Sequence, residues 1–305
     1  MTKYEVFIIG GGPAGLTAGL YASRAGLKTL LVERGMFGGQ IVNAQRVDNY
    51  PGFPEGIPGF ELASLMYQQA TKYGLETITA EVTGIKLGHT HRVLVTNDSF
   101  EAEAVIIAAG SEHRKLGVAG EENFLGHGVS YCATCDGFLF RDLDVAVVGG
   151  GDTAITDGLE LSQHAGRVYV IHRRDQLRAG HILQQQAFAQ PKLNFIWNSV
   201  VEEITGENMV KEIKLRNVKT GETSTLPVAG VFVAVGLKPN SQCFANVVKL
   251  EETGHIITDE LMATSAPGIF AIGDIREGSA RQVASAVGDG ATAAISVFKY
   301  LRERR

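Results

Sequence analysis

The sequence predicts an α/β protein with two parallel-sheet domains. Two observations carry that expectation. The stretches "YEVFIIGGGPAG" (4–15) and "LDVAVVGGGDTA" (143–154) repeat one plan, an apolar strand, a glycine cluster and then a helical pattern. In both, a second apolar strand follows the helix, and its end carries an ionisable residue at the same spacing from the first glycine: Glu33 in one repeat, His172 in the other. Size and composition agree. The 305 residues suffice for two domains. A hydrophobic content of 45% supports packed cores, and 37 glycines suit close approach of backbone to ligand.

Taken in order, residues 4–9 read as a buried strand and the next residues as a G-x-G-x-x-G turn, with Gly10, Gly12 and Gly15 at the fingerprint positions and Pro13 and Ala14 between. The second repeat reads G-x-G-x-x-A, with Gly149, Gly151 and Ala154 at those positions and Asp152 and Thr153 between. The third position needs a small residue so that the helix can pack on the strand, and the helix N-terminus offers free N–H groups to a pyrophosphate. One such fingerprint is a weak signal; two in strand–turn–helix context are a strong one. The runs "AVIIAAG" (104–110, ending at Gly110) and "AGVFVAVG" (229–236) read as further buried strands. So does "TSAPGIFAIGD" (264–274), which ends in Gly273 and Asp274, where open α/β sheets bind ligands. "ASAVGDGATAAISVFKYLRE" (284–303) reads as a closing helix.

The two second-strand ends differ in charge. An acid such as Glu33 accepts hydrogen bonds from a free ribose diol and repels a 2′-phosphate, so the first repeat suits FAD or NAD. The run "HRRDQLR" places His172, Arg173, Arg174 and Arg178 at the second, which suits the 2′-phosphate of NADP.

Other classes are disfavoured. Net charge is −5, and no Lys/Arg block is long enough to follow a phosphate backbone, so no nucleic-acid partner is expected. The N-terminus lacks a signal-peptide pattern and no run is long and apolar enough for a membrane span, so the expectation is a soluble cytoplasmic protein without a membrane partner. Of three cysteines, Cys132 and Cys135 form a C-x-x-C pair followed by Asp136. Such a pair can ligate metal, staple a loop or cycle between dithiol and disulfide. Zinc needs four ligands, and neither Cys243 nor the nearest histidines, His113 and His127, complete a set, so no metal is expected. Cys243 is read as a small buried apolar residue.

Together "GGGPAG", "GGQ" (38–40), "DNYPGF" (48–53), "CATCDG", "GGGDTA", "HRRDQLRA", "GLKPN" (236–240), "GIFAIGD" and "RQV" (281–283) resemble the bacterial-type, low-molecular-weight thioredoxin reductases, in order and over nearly the whole chain. The resemblance implies two Rossmann-like domains, an FAD domain at 1–113 and 242–305 with an NADPH domain at 114–241 inserted into it. It implies a homodimer, and thioredoxin or a similar disulfide protein as partner. It places Gly39, Gln40 and Asn49 near the flavin or its ribityl chain, Asp274 at the ribityl–phosphate region, and Arg281 and Gln282 beside the ring. It implies a cycle from NADPH through FAD to a Cys132–Cys135 disulfide and on to an external disulfide, with Asp136 as general acid/base, Cys132 attacking the partner and Cys135 facing the flavin. It also implies a domain rotation on the two links, for which Gly117, Gly120 and Gly236 are hinge candidates.

Neither an N-terminal thioredoxin-like extension nor a C-terminal second redox pair is recognised, and the C-x4-C motif of the glutathione reductase branch is missing. The alternatives are a relative with another donor or acceptor (a ferredoxin-linked reductase or a dithiol oxidase) and a slow flavin redox sensor. The arginine run argues against the first, the lack of an output segment against the second.

Overall fold

Both repeats fold as strand, turn and helix in the computed structural model, which describes residues 3–44 and 46–304. The first run of chain forms β1 (Lys3–Ile9), α1 (Pro13–Arg24), β2 (Thr29–Glu33), α2 (Gly59–Thr71), β3 (Glu76–Thr79), β4 (Val82–Lys86), β5 (His91–Val95), β6 (Asp98–Ile107) and β7 (Ser111–His113). There follow β8 (Val129–Ser130), α3 (Ala133–Asp136), β9 (Asp144–Val148), α4 (Asp152–Leu161), β10 (Arg167–Ile171), α5 (His181–Ala189) and β11 (Leu193–Ile196). The chain then makes β12 (Ser199–Gly206), β13 (Val210–Asn217), β14 (Thr223–Pro227), β15 (Gly230–Val233) and β16 (Leu237–Pro239), and ends with β17 (Ile269–Ala271) and α6 (Val283–Glu303). It divides into two compact units, Met1–Glu112 with Lys238–Arg305, and His113–Leu237.

In the first unit the sheet order is β3-β2-β1-β6-β5-β4. The long β6 serves two neighbours on one edge: Asp98–Ala102 pair antiparallel with β5, and Val105–Ile107 pair parallel with β17. On its other edge β6 runs parallel to β1. β1 and β2 are almost wholly buried, as expected of parallel strands covered on both faces. One face packs on α1 and α6 through small residues, Ala14, Ala18, Ala22, Ala293 and Ala294, with Leu16 and Val297. The other buries Phe7, Ile9, Val105, Ile107, Phe244 and Ile269. Each fully buried aliphatic or aromatic side chain contributes roughly 1.5–3 kcal/mol, which is how two such faces offset chain entropy.

The inserted unit repeats the design. Its parallel sheet has the order β11-β10-β9-β15-β8, with Val145, Val147, Val170 and Phe232 in the core on one face and Val148, Val231 and Val233 on the other. The antiparallel β12-β13-β14 forms a separate sheet in the same unit. In both sheets the strand ahead of the glycine turn has a parallel neighbour on each side, β2 and β6 for β1, β10 and β15 for β9. The connections leave in opposite directions from β1 and β9. The crevice at their carboxyl ends is therefore a topological switch point, where such sheets bind ligands.

Candidate active site

The redox centre lies in the inserted unit. Cys132 and Cys135 form a disulfide with Cα atoms 5.3 Å apart, closing the single turn α3. Cys135 N–H donates to Cys132 Sγ at 3.2 Å, and Asp136 N–H to the Cys132 carbonyl at 3.2 Å. Both cysteines are half-buried, so the cystine is open to a reactant without being loose. The Asp136 carboxylate follows at once, and the Ser130 hydroxyl donates to its Oδ2 at 2.6 Å while accepting the Cys132 N–H at 3.0 Å. A carboxylate so placed can take or supply a thiol proton.

In the two glycine turns, the space around each missing Cβ separates glycines kept for packing from glycines that leave room for a pyrophosphate. At Gly15 it would collide with the Gly10 carbonyl oxygen, and at Gly10 with that of Ala108, so these two are glycine for packing. At Gly12 the nearest heavy atom would be Gly39 Cα at 3.9 Å, and at Gly151 nothing lies within 4 Å. Both have negative φ, −73° and −96°, which any residue adopts. The protein's own packing therefore leaves Gly12 and Gly151 room for a side chain. That open cradle at each helix N-terminus fits the phosphate of a dinucleotide. Pro13 opens α1, where its missing N–H costs nothing, and Ala14 packs inward against the closing helix.

Around the first turn, Glu33 sits at the end of β2 and accepts from Gly11 N–H at 2.7 Å and Gly35 N–H at 3.0 Å. Gln40 donates to the Ser111 carbonyl at 2.6 Å, and Asn49 donates to Gln282 Oε1 at 3.0 Å, so Asn49 and Gln282 meet although far apart in sequence. Gly39 and Gly110 both take positive φ, +61° and +65°, and Gly110 faces open space. The Asp274 backbone carbonyl accepts from Ser111 at 2.5 Å and its Oδ1 from Ser279 at 3.3 Å. Burial pushes its carboxyl up, an effect opposed by Ser279 and by the Arg281 cation. Arg281 itself is exposed, with φ +57°.

Around the second turn, Asp152 accepts from Gly180 N–H at 2.7 Å and Arg178 N–H donates to the Gly150 carbonyl at 2.7 Å, fastening the arginine loop to the glycine turn. Thr153 is exposed in the first turn of α4. Arg173, Arg174 and Arg178 are exposed and line a cavity of about 410 Å³. His172 differs from them. It is 4% exposed, lies under Gly150, and its pKa is lowered by burial first and then by Arg178. The positive charge at this strand end is thus carried by the arginines.

Several residues escaped sequence reading. Ser130 is one; its only signal is a hydroxyl two residues before the first cysteine. Glu121, 2% exposed, accepts from Leu116 N–H, Gly117 N–H and the Tyr131 hydroxyl, bracing the residue before Cys132. Asp289 interrupts the apolar closing helix because it accepts Gly273 N–H at 2.9 Å and a two-pronged pair from Arg276 at 2.6 and 2.8 Å. One expectation is corrected: Cys243 is exposed. It lies in the short 3-10 turn Gln242–Phe244, which turns Phe244 into the core and Cys243 outward.

On α4, burial first and Glu160 second raise the Asp157 carboxyl to about 7. A carboxyl raised in the folded state favours the protonated protein. Its contribution is whole below about pH 4 and is lost as pH rises through 7. Asp157→Asn is therefore expected to gain about 1–3 kcal/mol over the parent at pH 8. In thermal melts the gap should open between about pH 4 and 7 and then level off. A gap independent of pH would refute the assignment.

Paired switch points with open phosphate cradles, on a chain bearing a half-buried cystine, define a dinucleotide-linked disulfide oxidoreductase. The chain belongs to the pyridine nucleotide-disulphide oxidoreductase family, whose model matches residues 4–290. It is 48% identical to the thioredoxin reductase of Listeria monocytogenes, covering 98% of this chain and 94% of that protein. It is 47% identical to that of Bacillus subtilis, covering 98% and 95%. Among solved structures it is similar to the thioredoxin reductase of Streptococcus pyogenes, at 48% identity, TM-score 0.95 and 99% coverage of each chain.

Proposed function

We propose that the chain is an NADPH-dependent thioredoxin-disulfide reductase, passing electrons from NADPH through FAD and the Cys132–Cys135 disulfide to thioredoxin. The observation that carries this reading is a half-buried cystine in the same unit as an arginine-lined cavity at a dinucleotide switch point. The first unit is the FAD domain and the inserted unit the NADPH domain. When bound, FAD supplies the two-electron link between nicotinamide and sulfur.

The cradle at Gly12 and the N-terminus of α1 take the FAD pyrophosphate, and Glu33 takes the adenosine ribose diol. Gly39, Gln40, Asn49, Gly110, Gly273, Asp274, Arg281 and Gln282 would hold the ribityl and ring end. Gly151, Asp152 and Thr153 shape the NADPH turn above His172, and Arg173, Arg174 and Arg178 hold its 2′-phosphate. After the cystine is reduced, the Cys132 thiolate attacks one partner sulfur and a partner thiolate leaves, forming a mixed disulfide. The Cys135 thiolate then attacks Cys132, the second partner thiolate leaves, and the chain's disulfide is restored. Asp136 handles the thiol proton.

A protein partner is favoured by Phe138 and Leu139, which follow the cystine and are 45% and 62% exposed. Exposed apolar side chains of this size suit a protein surface better than a small disulfide. On the family resemblance alone, the working form is a cytoplasmic homodimer. Among the described residues no helix is long and apolar enough to cross a membrane.

The test is an anaerobic titration with NADPH, following the flavin band. About two hydride equivalents per chain are expected, one for flavin and one for cystine, and both should then pass to oxidised thioredoxin. Uptake of one equivalent removes the cystine from the circuit. An unbleached flavin rejects NADPH as donor.

A further inference from the structure

The cavity beside the arginines is lined by more than the arginine run. Arg173, Arg174, Asp175 and Arg178 share its lining with Asn198 and Lys219, which come from later in the chain. Asp175 is the single acid among the described residues that line it, and it stands within the arginine run. Its carboxylate is held by Lys219, Nζ to Oδ2 2.6 Å.

Lys219 is delivered there by a braced turn. Asn217, the last residue of β13, accepts at Oδ1 from Lys219 N–H at 2.9 Å and Thr220 N–H at 3.1 Å, and its carbonyl accepts from Gly221 N–H at 2.9 Å. The turn is tied to the arginine loop through one residue: Asn198 N–H donates to the Arg174 carbonyl at 3.2 Å, and Val218 N–H donates to the Asn198 carbonyl at 2.6 Å. Asn198 makes this link in the left-handed conformation, φ +52°, which asparagine tolerates better than most residues.

An acid with no cationic partner beside an adenosine ribose favours the free diol and turns away a 2′-phosphate, which is the role proposed above for Glu33 in the first unit. We propose that Lys219 is a specificity-determining positioning residue, which neutralises Asp175 and so keeps the arginine cavity selective for a 2′-phosphorylated adenosine. This rests on the NADPH reading above. The 2.6 Å contact with the ammonium is what neutralises the Asp175 carboxylate, and it draws that carboxyl below its usual range. Both side chains are exposed, 60% and 61%, so the effect is moderate and salt-dependent.

The test is calorimetric binding of adenosine 2′,5′-bisphosphate and adenosine 5′-monophosphate to the flavin-loaded protein. For Lys219→Ala, the bisphosphate should bind about three- to tenfold more weakly at low salt, with the monophosphate unchanged. The ratio of kcat/KM for NADPH over NADH should fall in parallel. Lys219→Arg and the double variant Lys219→Ala/Asp175→Asn should both return to within about twofold of the parent, because each leaves no unpaired acid. A parent-like Lys219→Ala overturns the proposal if Arg173→Ala/Arg174→Ala still weakens the bisphosphate. A loss that Asp175→Asn does not restore also overturns it. If the arginine pair can be removed without effect, the 2′-phosphate reading itself fails and takes this inference with it.

Discussion

With Cys135 replaced by serine, turnover of a disulfide protein is expected to fall by about a thousandfold or more, while NADPH still bleaches the flavin. The loss follows from the exchange chemistry. Cys132 and Cys135 sit on one short turn, each able to bond only the other within the chain's own centre. A lone Cys132 can attack a partner disulfide, but nothing then attacks the mixed disulfide from within. The variant should accumulate as a covalent adduct with thioredoxin, visible by mass spectrometry. Retained turnover would show that electrons bypass the cystine. Loss of bleaching as well would show that the proposed route into the protein is wrong.

Gly12→Ala should produce a stable protein that purifies without flavin, with affinity reduced by about a hundredfold or more. Its backbone angles suit alanine and its Cβ would meet only Gly39 Cα at 3.9 Å, so the apoprotein should melt within a few degrees of the parent. The methyl would instead occupy the space through which the pyrophosphate approaches the backbone. Gly15→Ala is the control. Its Cβ would strike the Gly10 carbonyl, and the strand–helix contact should lose about 2–4 kcal/mol whether or not flavin is present. Flavin binding by Gly12→Ala at parental strength would remove the first turn from the cofactor site.

The parallel cores were legible because buried strands and glycine turns are local signals, and both repeats carry them in full. The switch points are not legible there, because they depend on which strands flank β1 and β9, and β6 and β15 reach those edges from far along the chain. The antiparallel strands β12 to β14 were not read. Their alternation is diluted by charged residues, and their pairing shifts register between Val201 and Glu203. The candidate site was legible where chemistry sits in a motif, as at Cys132, Cys135 and the arginine run. It was not legible where a long-range partner decides the role. Asp289 looks like a surface acid until Arg276 and Gly273 N–H are brought to it. His172 reads as one more cation until burial under Gly150 removes that option. Residue type alone makes Cys243 a buried residue, and the direction of one 3-10 turn places it outside.

The two occupants of one edge of β6 set an order of assembly. β5 precedes β6 and pairs with it as a local meander, but β17 pairs with Val105–Ile107 from residues 269–271, and α6 covers Ala14 and Ala18 from later still. As the ribosome delivers the chain, the first unit must wait with its α1 face uncovered until residues 269–303 emerge. The inserted unit is contiguous in sequence and meets no such delay. The nucleotide fold encoded second is therefore the first that can be completed, and the one encoded first depends on β17 and α6 for closure.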